Sequence, residues 1–289
     1  MLEFDLYRPR TLQEALKLLA KFKSSARVLA GGTDLLVSLR AGKGMEAVQN
    51  IIDLHCLQTL AFIRKDGERL RIGPLTAHAL IADSPHIRQG AGLLAEAAAA
   101  IGSPQIRNRG TIGGNVANAA VCADTVPPLV ALGASVKLER LGESRWLPLE
   151  EFITGPNRTR LEADEMLTEI AFAKLPPTAG WGFMRLARRE AMAIARMNVA
   201  VVIDRDSQGK VVSASIVPGA VLASPGRIGE AENILLNKCP DDELIRHAGQ
   251  AVAAAMTAAG RRWSAPYKEP AIIALTERAI KQALEVEWR

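Results

Sequence analysis

Two glycine pairs, Gly31-Gly32 and Gly113-Gly114, constrain the fold of this chain more than any other feature of its 289 residues. Adjacent glycines permit a tight turn, and they let a ligand approach the main chain closely because no Cβ atom intervenes. Each pair stands at a predicted junction between a strand and a loop, and neither loop carries a charge at its tip. Together the two junctions predict a site for one elongated dinucleotide held between two lobes.

The first pair lies in the segment Leu29–Asp34, between a strand predicted over 27–30 and a short predicted helix. Backbone N–H groups at a helix start point towards an anion, and the helix dipole favours negative charge there. The segment therefore predicts a pyrophosphate site, with the Thr33 hydroxyl as a further donor. It matches neither G-x-G-x-x-G nor the P-loop pattern, and an ordinary tight turn is the alternative interpretation.

The second pair lies in the segment Thr111–Asn115, which is followed by Asp124. The side chain of Asn115 can donate and accept hydrogen bonds, and the carboxylate of Asp124 is an acceptor suited to ribose or ribityl hydroxyls. Asp124 is also well placed to cap a helix that carries Pro127 and Pro128 in its first turn. These two roles for Asp124 do not exclude each other.

Periodicity and capping signals predict a small α/β unit in residues 1–70 and mixed elements beyond it. Thr11 and Glu14 form a capping box for the first helix. The other elements predicted up to residue 175 are a short helix opened by Thr33-Asp34, a strand over 51–54, a meander over 60–72, an alanine-rich helix over 92–101, and strands over 134–138 and 166–172.

The segment Pro176–Gly180 is the best candidate for a linker. Beyond it the pattern predicts strands over 183–187, 199–203 and 211–217, followed by helices over 241–259 and 269–287. Strands followed by helices indicate an α+β C-terminal domain.

The charge balance argues against a nucleic-acid partner. Lys and Arg total 36 against 31 for Asp and Glu, and the excess of +5 is spread along the chain. No stretch without these charges reaches the ~20 residues of a bilayer span. The N-terminus carries charges where a signal peptide needs an apolar stretch. We therefore expect a cytoplasmic protein without a membrane span.

Cysteine and histidine are few and scattered, which argues against a disulfide framework or a metal centre. The three cysteines show no C-x-x-C spacing, and the four histidines are equally dispersed; they are Cys56, Cys122, Cys239, His55, His78, His86 and His247. Redox chemistry on this chain would therefore need an organic cofactor.

The glycine-rich segments resemble those of a known family when they are taken together. The segments are Val28–Leu35, Gln105–Asn118 and Ala123-Asp124, with shorter matches at 155–156, 164–167 and 188–195. In combination they resemble the FAD-binding subunit of the molybdenum hydroxylases, which include xanthine dehydrogenase and carbon monoxide dehydrogenase. The likeness covers essentially the whole chain and is greatest to bacterial xanthine dehydrogenase-type FAD subunits.

The resemblance implies an α+β fold with a two-lobed FAD-binding domain of the vanillyl-alcohol oxidase (PCMH) type. That domain would span 1–175, with lobes of about 1–60 and 61–175, and a smaller α+β C-terminal domain would span 176–289. FAD would be held non-covalently, because no Cys or His presents itself for attachment. The resemblance implies neither a catalytic residue nor a metal ligand on this chain.

The resemblance also implies a set of cofactor-binding residues. The first loop would wrap the FAD pyrophosphate, and the second would hold the phosphate and ribityl side. Asp124 would be a cofactor ligand, the Leu167 backbone would lie near the adenine or flavin edge, and Ile101 would lie near the isoalloxazine ring. The full set is Arg27, Val28, Leu29, Ala30, Gly31, Gly32, Thr33, Asp34, Ile101, Thr111, Ile112, Gly113, Gly114, Asn115, Asp124, Leu167 and Arg185.

Arg185 stands where relatives commonly have Lys near the flavin. Either cation could stabilise negative charge on the reduced flavin, but the arginine side chain is larger and its charge is delocalised. A solvated strand residue is the alternative interpretation of Arg185. The cluster of Arg188, Arg189 and Arg196 could bind an acidic partner or a nucleotide phosphate, although charged faces are usually only solvated.

The function that the resemblance implies is electron transfer within a heterotrimeric enzyme. Electrons taken from an organic substrate at molybdenum would reach FAD through [2Fe–2S] clusters, and NAD or another acceptor would receive them. The molybdenum cofactor would lie on a large partner subunit and the clusters on a small one. A [2Fe–2S] cluster needs four Cys ligands, which three scattered cysteines cannot supply.

Two other readings are open. A stand-alone flavin oxidase or reductase of the same fold would need an acid or base facing the flavin. No convincing candidate appears, and the only tyrosines are Tyr7 and Tyr267. A non-catalytic assembly protein that has lost its cofactor is the third reading, which the intact glycines disfavour.

Overall fold

The first lobe is a three-stranded parallel sheet with two helices. The structure, a computed structural model, describes residues 3–42, 45–189, 192–260 and 265–285. The elements of this lobe are β1 (Asp5–Tyr7), α1 (Leu12–Phe22), β2 (Ala26–Leu29), α2 (Leu35–Ala41) and β3 (Asn50–Asp53). The strands lie in the order β1-β3-β2. The hydroxyl of Thr11 accepts from the N–H of Glu14, so the predicted cap of α1 is confirmed.

The second lobe is a five-stranded antiparallel sheet covered by short helices. Its strand order is β4-β5-β10-β6-β7. Its elements are β4 (Ile63–Asp66), β5 (Arg69–Ile72), α3 (His78–Asp83), α4 (Pro85–Gly90), α5 (Gly92–Ala99), α6 (Pro104–Arg109), α7 (Ile112–Asn118), α8 (Val126–Ala131), β6 (Ser135–Arg140), β7 (Glu143–Pro148), α9 (Leu149–Phe152), β8 (Ile153–Gly155), β9 (Arg158–Thr159) and β10 (Met166–Ala173).

The C-terminal part is an antiparallel sheet with three helices on one face. Its elements are β11 (Ala179–Ala187), β12 (Ala195–Arg205), β13 (Val211–Gly219), α10 (Gly229–Leu235), α11 (Asp242–Ala258) and α12 (Ala265–Glu285). Met197, Val199 and Val201 of β12 pack towards these helices. Ala200 and Val202 belong instead to the core of the second lobe. Alternate residues of β12 therefore join two different cores, as the period of a strand requires.

Several predicted boundaries differ from the observed ones. β11 begins at Ala179, so the predicted linker 176–180 runs partly into a strand. The last helix begins at Ala265 rather than 269, and residues 286–287 of its predicted end lie outside the described residues. Thr125 rather than Asp124 is the N-cap of α8, and no side chain caps that helix, so the cap predicted for Asp124 is wrong.

In the described ranges no helix is both long and apolar enough to cross a bilayer. Across the same ranges, His, Cys, Asp and Glu side chains form no group of three or more that could hold a metal ion.

Candidate cofactor site

The loop of the first glycine pair touches the backbone just before the second pair. A Cβ atom on Gly31 would lie 2.8 Å from the carbonyl carbon of Arg109 and 3.0 Å from the Cα of Gly110. Such distances exclude any side chain, so Gly31 allows the first lobe to reach the segment just before the second glycine pair. The juxtaposition predicted from the sequence is therefore present.

The first loop presents a row of free backbone donors. The N–H groups of Gly31, Gly32, Thr33 and Asp34 meet no acceptor among the described residues. Gly32 has a φ of +79°, a left-handed conformation that glycine adopts without strain. A turn of alternating handedness can aim successive N–H groups into one concavity, which suits a phosphate group. The loop therefore has the free N–H donors that an anion would need.

The second glycine pair forms the first turn of helix α7 and not a loop, so the prediction of a loop is wrong. Thr111 is the N-cap, and its hydroxyl accepts from the N–H of Gly114 at 3.2 Å. The N–H groups of Ile112 and Gly113 donate to the carbonyls of Thr76 and Pro74, at 3.0 and 2.9 Å. These donors are already paired within the protein.

The two glycines of α7 have different surroundings. A Cβ on Gly113 would lie 2.7 Å from the Cα of Pro74, so glycine is needed there for protein packing. A Cβ on Gly114 would meet only the hydroxyl of Thr111, at 3.0 Å. Gly114 is therefore the member of the pair whose surface is free for a ligand, while Gly113 holds α7 against the segment 74–76.

A cleft of about 160 Å³ lies where the two lobes meet. Both lobes contribute to its lining, which consists of Ala30, Gly31, His55, Gln58, Ala61, Leu75, Ala77, Asn108, Arg109 and Thr111. The predicted set of cofactor-binding residues does not include His55, Gln58, Asn108 or Arg109. Pockets for small molecules usually measure ~300 Å³ or more, so this cleft admits one part of an elongated ligand.

Asp124 and Arg185 form a buried ion pair next to Asn198. The Nε atom of Arg185 lies 3.1 Å from one carboxylate oxygen of Asp124, and the Nδ2 atom of Asn198 lies 2.9 Å from the other. Arg185 also donates to the carbonyl of Ala193. The side chain of Arg185 is 11% exposed, which contradicts the reading of a solvated strand residue. Burial raises the pKa of Asp124, while Arg185 and Asn198 act in the opposite direction.

Asn115 is tied to the same region through the residue after Asp124. The hydroxyl of Thr125 donates to the Oδ1 atom of Asn115 at 2.6 Å, so the amide of Asn115 keeps its two donors for another partner. This bond joins α7 to the start of α8. Together the two helix ends hold Asn115 and Asp124 in fixed positions.

The fold brings Cys122 and His78 to the site, although both looked scattered in the sequence. Cys122 lies within electrostatic range of Asp124, Asp34 and Arg185; burial raises the pKa of its thiol, and the two carboxylates raise it further. His78 is 3% exposed, and its ring lies beside Gly110. Burial lowers the pKa of His78 to about 4, so the imidazole is neutral near pH 7.

The remaining predicted residues lie around these loops. Ile101 is half-buried just after α5, and its carbonyl accepts from Arg107 at 2.9 Å. Leu167 is buried in β10, a strand against which α7 packs. Val28 packs against the core of the first lobe. The guanidinium of Arg27 is bonded to the carbonyls of Ser24 and Ala26. Its Nη1 atom therefore points back along its own strand.

Asn198 is the main residue that the sequence analysis missed. Its side chain is fully buried in β12, among apolar neighbours that the pattern read only as a strand. The sequence did carry a signal for this residue, since Asn198 is a polar residue within an apolar strand. A buried amide needs a hydrogen-bond partner, so such a residue indicates a polar contact. The partner, Asp124, lies 74 positions away in the sequence.

Comparison with known proteins agrees with this geometry over the whole chain. Residues 2–175 match the family described as "FAD binding domain in molybdopterin dehydrogenase", and residues 182–283 match "CO dehydrogenase flavoprotein C-terminal domain". The nicotinate dehydrogenase FAD-subunit of Eubacterium barkeri is 34% identical over 82% of this chain and 80% of its own length. The xanthine dehydrogenase FAD-binding subunit of Escherichia coli O157:H7 is 33% identical over 82% of this chain and 81% of its own.

A solved structure of carbon monoxide dehydrogenase from Hydrogenophaga pseudoflava extends the likeness to three dimensions. It superposes with a TM-score of 0.90 at 31% sequence identity, and the match covers 98% of this chain and 97% of the other. Family matches, relatives and fold thus agree with one another over nearly the whole chain. The chain belongs to the FAD-binding medium subunits of the molybdenum hydroxylase family.

Proposed function

We propose that this chain is the electron-transfer subunit of a cytoplasmic, heterotrimeric molybdenum hydroxylase of the xanthine dehydrogenase type. A large partner subunit would carry the molybdenum cofactor and a small one the [2Fe–2S] clusters. When bound here, FAD supplies the link between one-electron donors such as these clusters and a two-electron acceptor such as NAD⁺. The three cysteines of the chain, which are too few for even one cluster, support this division of labour.

One observation carries the proposal. The N–H groups of Gly31–Asp34 have no acceptor among the described residues, and Gly31 of the same loop packs against Arg109 and Gly110, just before the second glycine pair. These donors would hold the FAD pyrophosphate, and Gly114 would leave room beside them. Asn115 and Asp124 would bind hydroxyl groups of the cofactor, and Ile101 and Leu167 would supply apolar walls. We take 1–175 as the FAD-binding domain and 176–289 as the C-terminal domain, in line with the family matches.

Arg185 would provide a permanent positive charge beside the flavin. A guanidinium stays protonated at any pH that a protein experiences. The carboxylate of Asp124 fixes its Nε atom and the carbonyl of Ala193 one of its terminal nitrogens. Its other terminal nitrogen is then free to favour negative charge on the reduced cofactor. The chain need not supply a general acid or base for electron transfer.

FAD would be bound without a covalent link. Burial and the nearby carboxylates of Asp124 and Asp34 raise the pKa of the Cys122 thiol, which favours its protonated form. A protonated thiol is a poor nucleophile. Acid precipitation of the loaded protein should release all of the FAD into the supernatant. Flavin that stays with the precipitate would contradict this part of the proposal.

The test of the function uses the complex isolated through a tag on this chain. We expect a large molybdenum-containing subunit and a small iron–sulfur subunit to copurify, and anaerobic NADH to bleach the flavin absorbance. Copurification without bleaching would indicate that another acceptor replaces NAD⁺. Substrate turnover by this chain alone, with no partner subunit, would overturn the proposal in favour of a stand-alone flavoenzyme.

A stand-alone enzyme finds no support in the tyrosines. The Tyr7 ring packs 4.9 Å from that of Phe22 in the first lobe. Tyr267 is about half exposed at the start of α12, and the guanidinium of Arg196 lies 5.6 Å from its ring. Neither lines the cleft between the lobes.

A further inference from the structure

Three residues of the C-terminal sheet form a row that faces Asp124. Arg185 of β11 lies opposite Asn198 of β12, which lies opposite Gly219 of β13. Residues directly opposite each other in a sheet point their side chains to the same face. In β12 the neighbouring residues Met197 and Val199 point the other way, into the core with α11 and α12. The row therefore belongs to the face that packs on the FAD-binding part.

Gly219 makes room for this arrangement. A Cβ atom there would lie 2.6 Å from the Cγ of Pro127 and 3.0 Å from the Cγ of Asn198. Its absence lets α8 approach the sheet, which brings Asp124, two residues before α8, onto the amide of Asn198. The sheet thus offers Asp124 one charged donor and one neutral donor, side by side.

Asp124 receives a different donor at each carboxylate oxygen. Arg185 takes Oδ2 and Asn198 takes Oδ1. Two bonds to two oxygens fix both the position and the rotation of the carboxylate, which a single ion pair would leave free to turn. Among the described residues, the Asn198 side chain has no other hydrogen-bond partner, and its Oδ1 atom is buried and unpaired. The amide group of Asn198 is thus held by its bond to Asp124 although its Oδ1 atom forms no hydrogen bond.

We infer that Asn198 is a positioning residue for FAD, acting through Asp124. The inference rests on the proposed role of Asp124 as an acceptor for a cofactor hydroxyl. Asn198 would set the direction of the carboxylate's remaining lone pairs before the cofactor arrives. It follows that the C-terminal sheet, and not only the glycine loops, determines how tightly this chain binds FAD.

The first test compares FAD binding by three variants of the full chain, measured by fluorescence titration after removal of the flavin. Asn198→Leu removes the donor at similar size, and we expect roughly tenfold weaker binding, as for one lost hydrogen bond to a charged group. Thr276→Val is the matched control, because Thr276 is also fully buried in the C-terminal part and bonds only the carbonyl of Ile272. Asp124→Asn tests the acceptor itself.

The second test measures how FAD binding by Asn198→Asp depends on pH. If Asn198 had a purely structural role, the FAD affinity of this variant would not depend on pH. When ionised, the new carboxyl would repel Asp124; when protonated, it could donate to Asp124 as the amide does. Binding of FAD by this variant should therefore strengthen as the pH falls from 8 to about 5.5. The charged groups at this position are Asp124, which Asn198 contacts, and Arg185, which lies opposite Asn198 in the sheet. Cys122 lies within electrostatic range of Asp124 and of Asp34, and the wild type and Asn198→Leu report the contribution of these groups.

The outcomes separate the inference from the proposed function. Weak binding by Asn198→Leu, near-normal binding by Thr276→Val and a gain of affinity by Asn198→Asp at low pH would support it. Should Asn198→Leu fail to fold, the pH profile of Asn198→Asp decides alone. Weak binding by Asp124→Asn with normal binding by both Asn198 variants would overturn the positioning role only. Normal binding by Asp124→Asn would overturn the role of Asp124 as well.

Discussion

At the scale of single residues, the two glycines of the first loop act in different ways. Gly31 allows the backbone contact with Arg109 and Gly110. Gly32 has no backbone atom so close, but its φ of +79° requires the left-handed conformation that turns the loop. One residue is needed for space and the other for backbone geometry, so substitutions at the two positions should fail for different reasons.

Gly32→Glu should release FAD while leaving a folded chain. A side chain in the left-handed region costs about 1–2 kcal/mol, and a carboxylate beside the pyrophosphate adds like-charge repulsion of several kcal/mol. The matched control is Gly133→Glu, because Gly133 has a φ of +62° and no atom within 4 Å of its Cβ position. Gly32→Glu should lose somewhat more thermal stability than Gly133→Glu, because a Cβ atom at Gly32 would also lie 3.1 Å from side-chain atoms of Leu29 and Leu36. Only Gly32→Glu should lose flavin absorbance. Full FAD content in Gly32→Glu would show that the loop does not hold the phosphate.

His78 makes the folded state sensitive to acid. In the folded protein the pKa of His78 is about 4, below the ordinary value of 6.5. Between pH 6.5 and 4, His78 is therefore protonated in the unfolded chain and neutral in the folded chain. The free energy of unfolding therefore falls as the pH drops from about 6.5 to 4, by ~2 kcal/mol at pH 5. His78→Gln should flatten the pH dependence of urea unfolding between pH 7 and 5. His86→Gln, at an exposed position, should keep the wild-type slope.

At the scale of elements, α7 depends on its N-cap. Thr111 and Thr11 cap α7 and α1 in the same way, each with an extended backbone and a hydroxyl that accepts from the third residue along. Thr111→Val and Thr11→Val should each cost about 1 kcal/mol of stability. Only Thr111→Val should also weaken FAD binding, because α7 carries Gly114 and Asn115. If titration gave the same FAD affinity for both variants, α7 would not contribute to FAD binding.

The sequence predicted most strands and long helices of this chain but misread α7. Short, nearly continuous apolar runs identify β10 and β12, and the long apolar stripe of α11 identifies it as a helix. In α7, two glycines in seven residues argue against a helix. The helix forms because Thr111 caps it and because the carbonyls of Thr76 and Pro74 take up its first N–H groups. Such tertiary contacts leave no trace in local sequence.

At the scale of the whole molecule, the C-terminal sheet joins two cores. One face of the sheet packs on the second lobe and the other on α11 and α12. The glycine segments of the cofactor site could be predicted because each is contiguous in sequence. The pairing of Asp124 with Arg185 and Asn198 could not, because it depends on how the sheet packs on α8. The C-terminal contribution to the site is thus a property of the assembled fold.

Gly182→Ala should destabilise the packing of α12 on this sheet. A Cβ atom on Gly182 would lie 2.9 Å from the carbonyl carbon of Ala279, a backbone atom that cannot turn aside. Overpacking of this kind costs about 1–3 kcal/mol, which urea denaturation would measure as a lower midpoint. Gly155→Ala is the control, because nothing lies within 4 Å of its Cβ position. If the two variants had the same urea midpoint, α12 would be able to shift without a loss in the free energy of unfolding.

The contact at Gly31 also sets the distance between the two lobes. The first lobe rests on the backbone at Arg109 and Gly110 with only glycine hydrogens between them. Even a single methyl group at this position would act as a wedge and widen the mouth of the cleft. In the proposed site, the absence of a Cβ atom at residue 31 therefore governs the width available to the cofactor. A homologue with a side chain at this position would need a different backbone path in the facing segment.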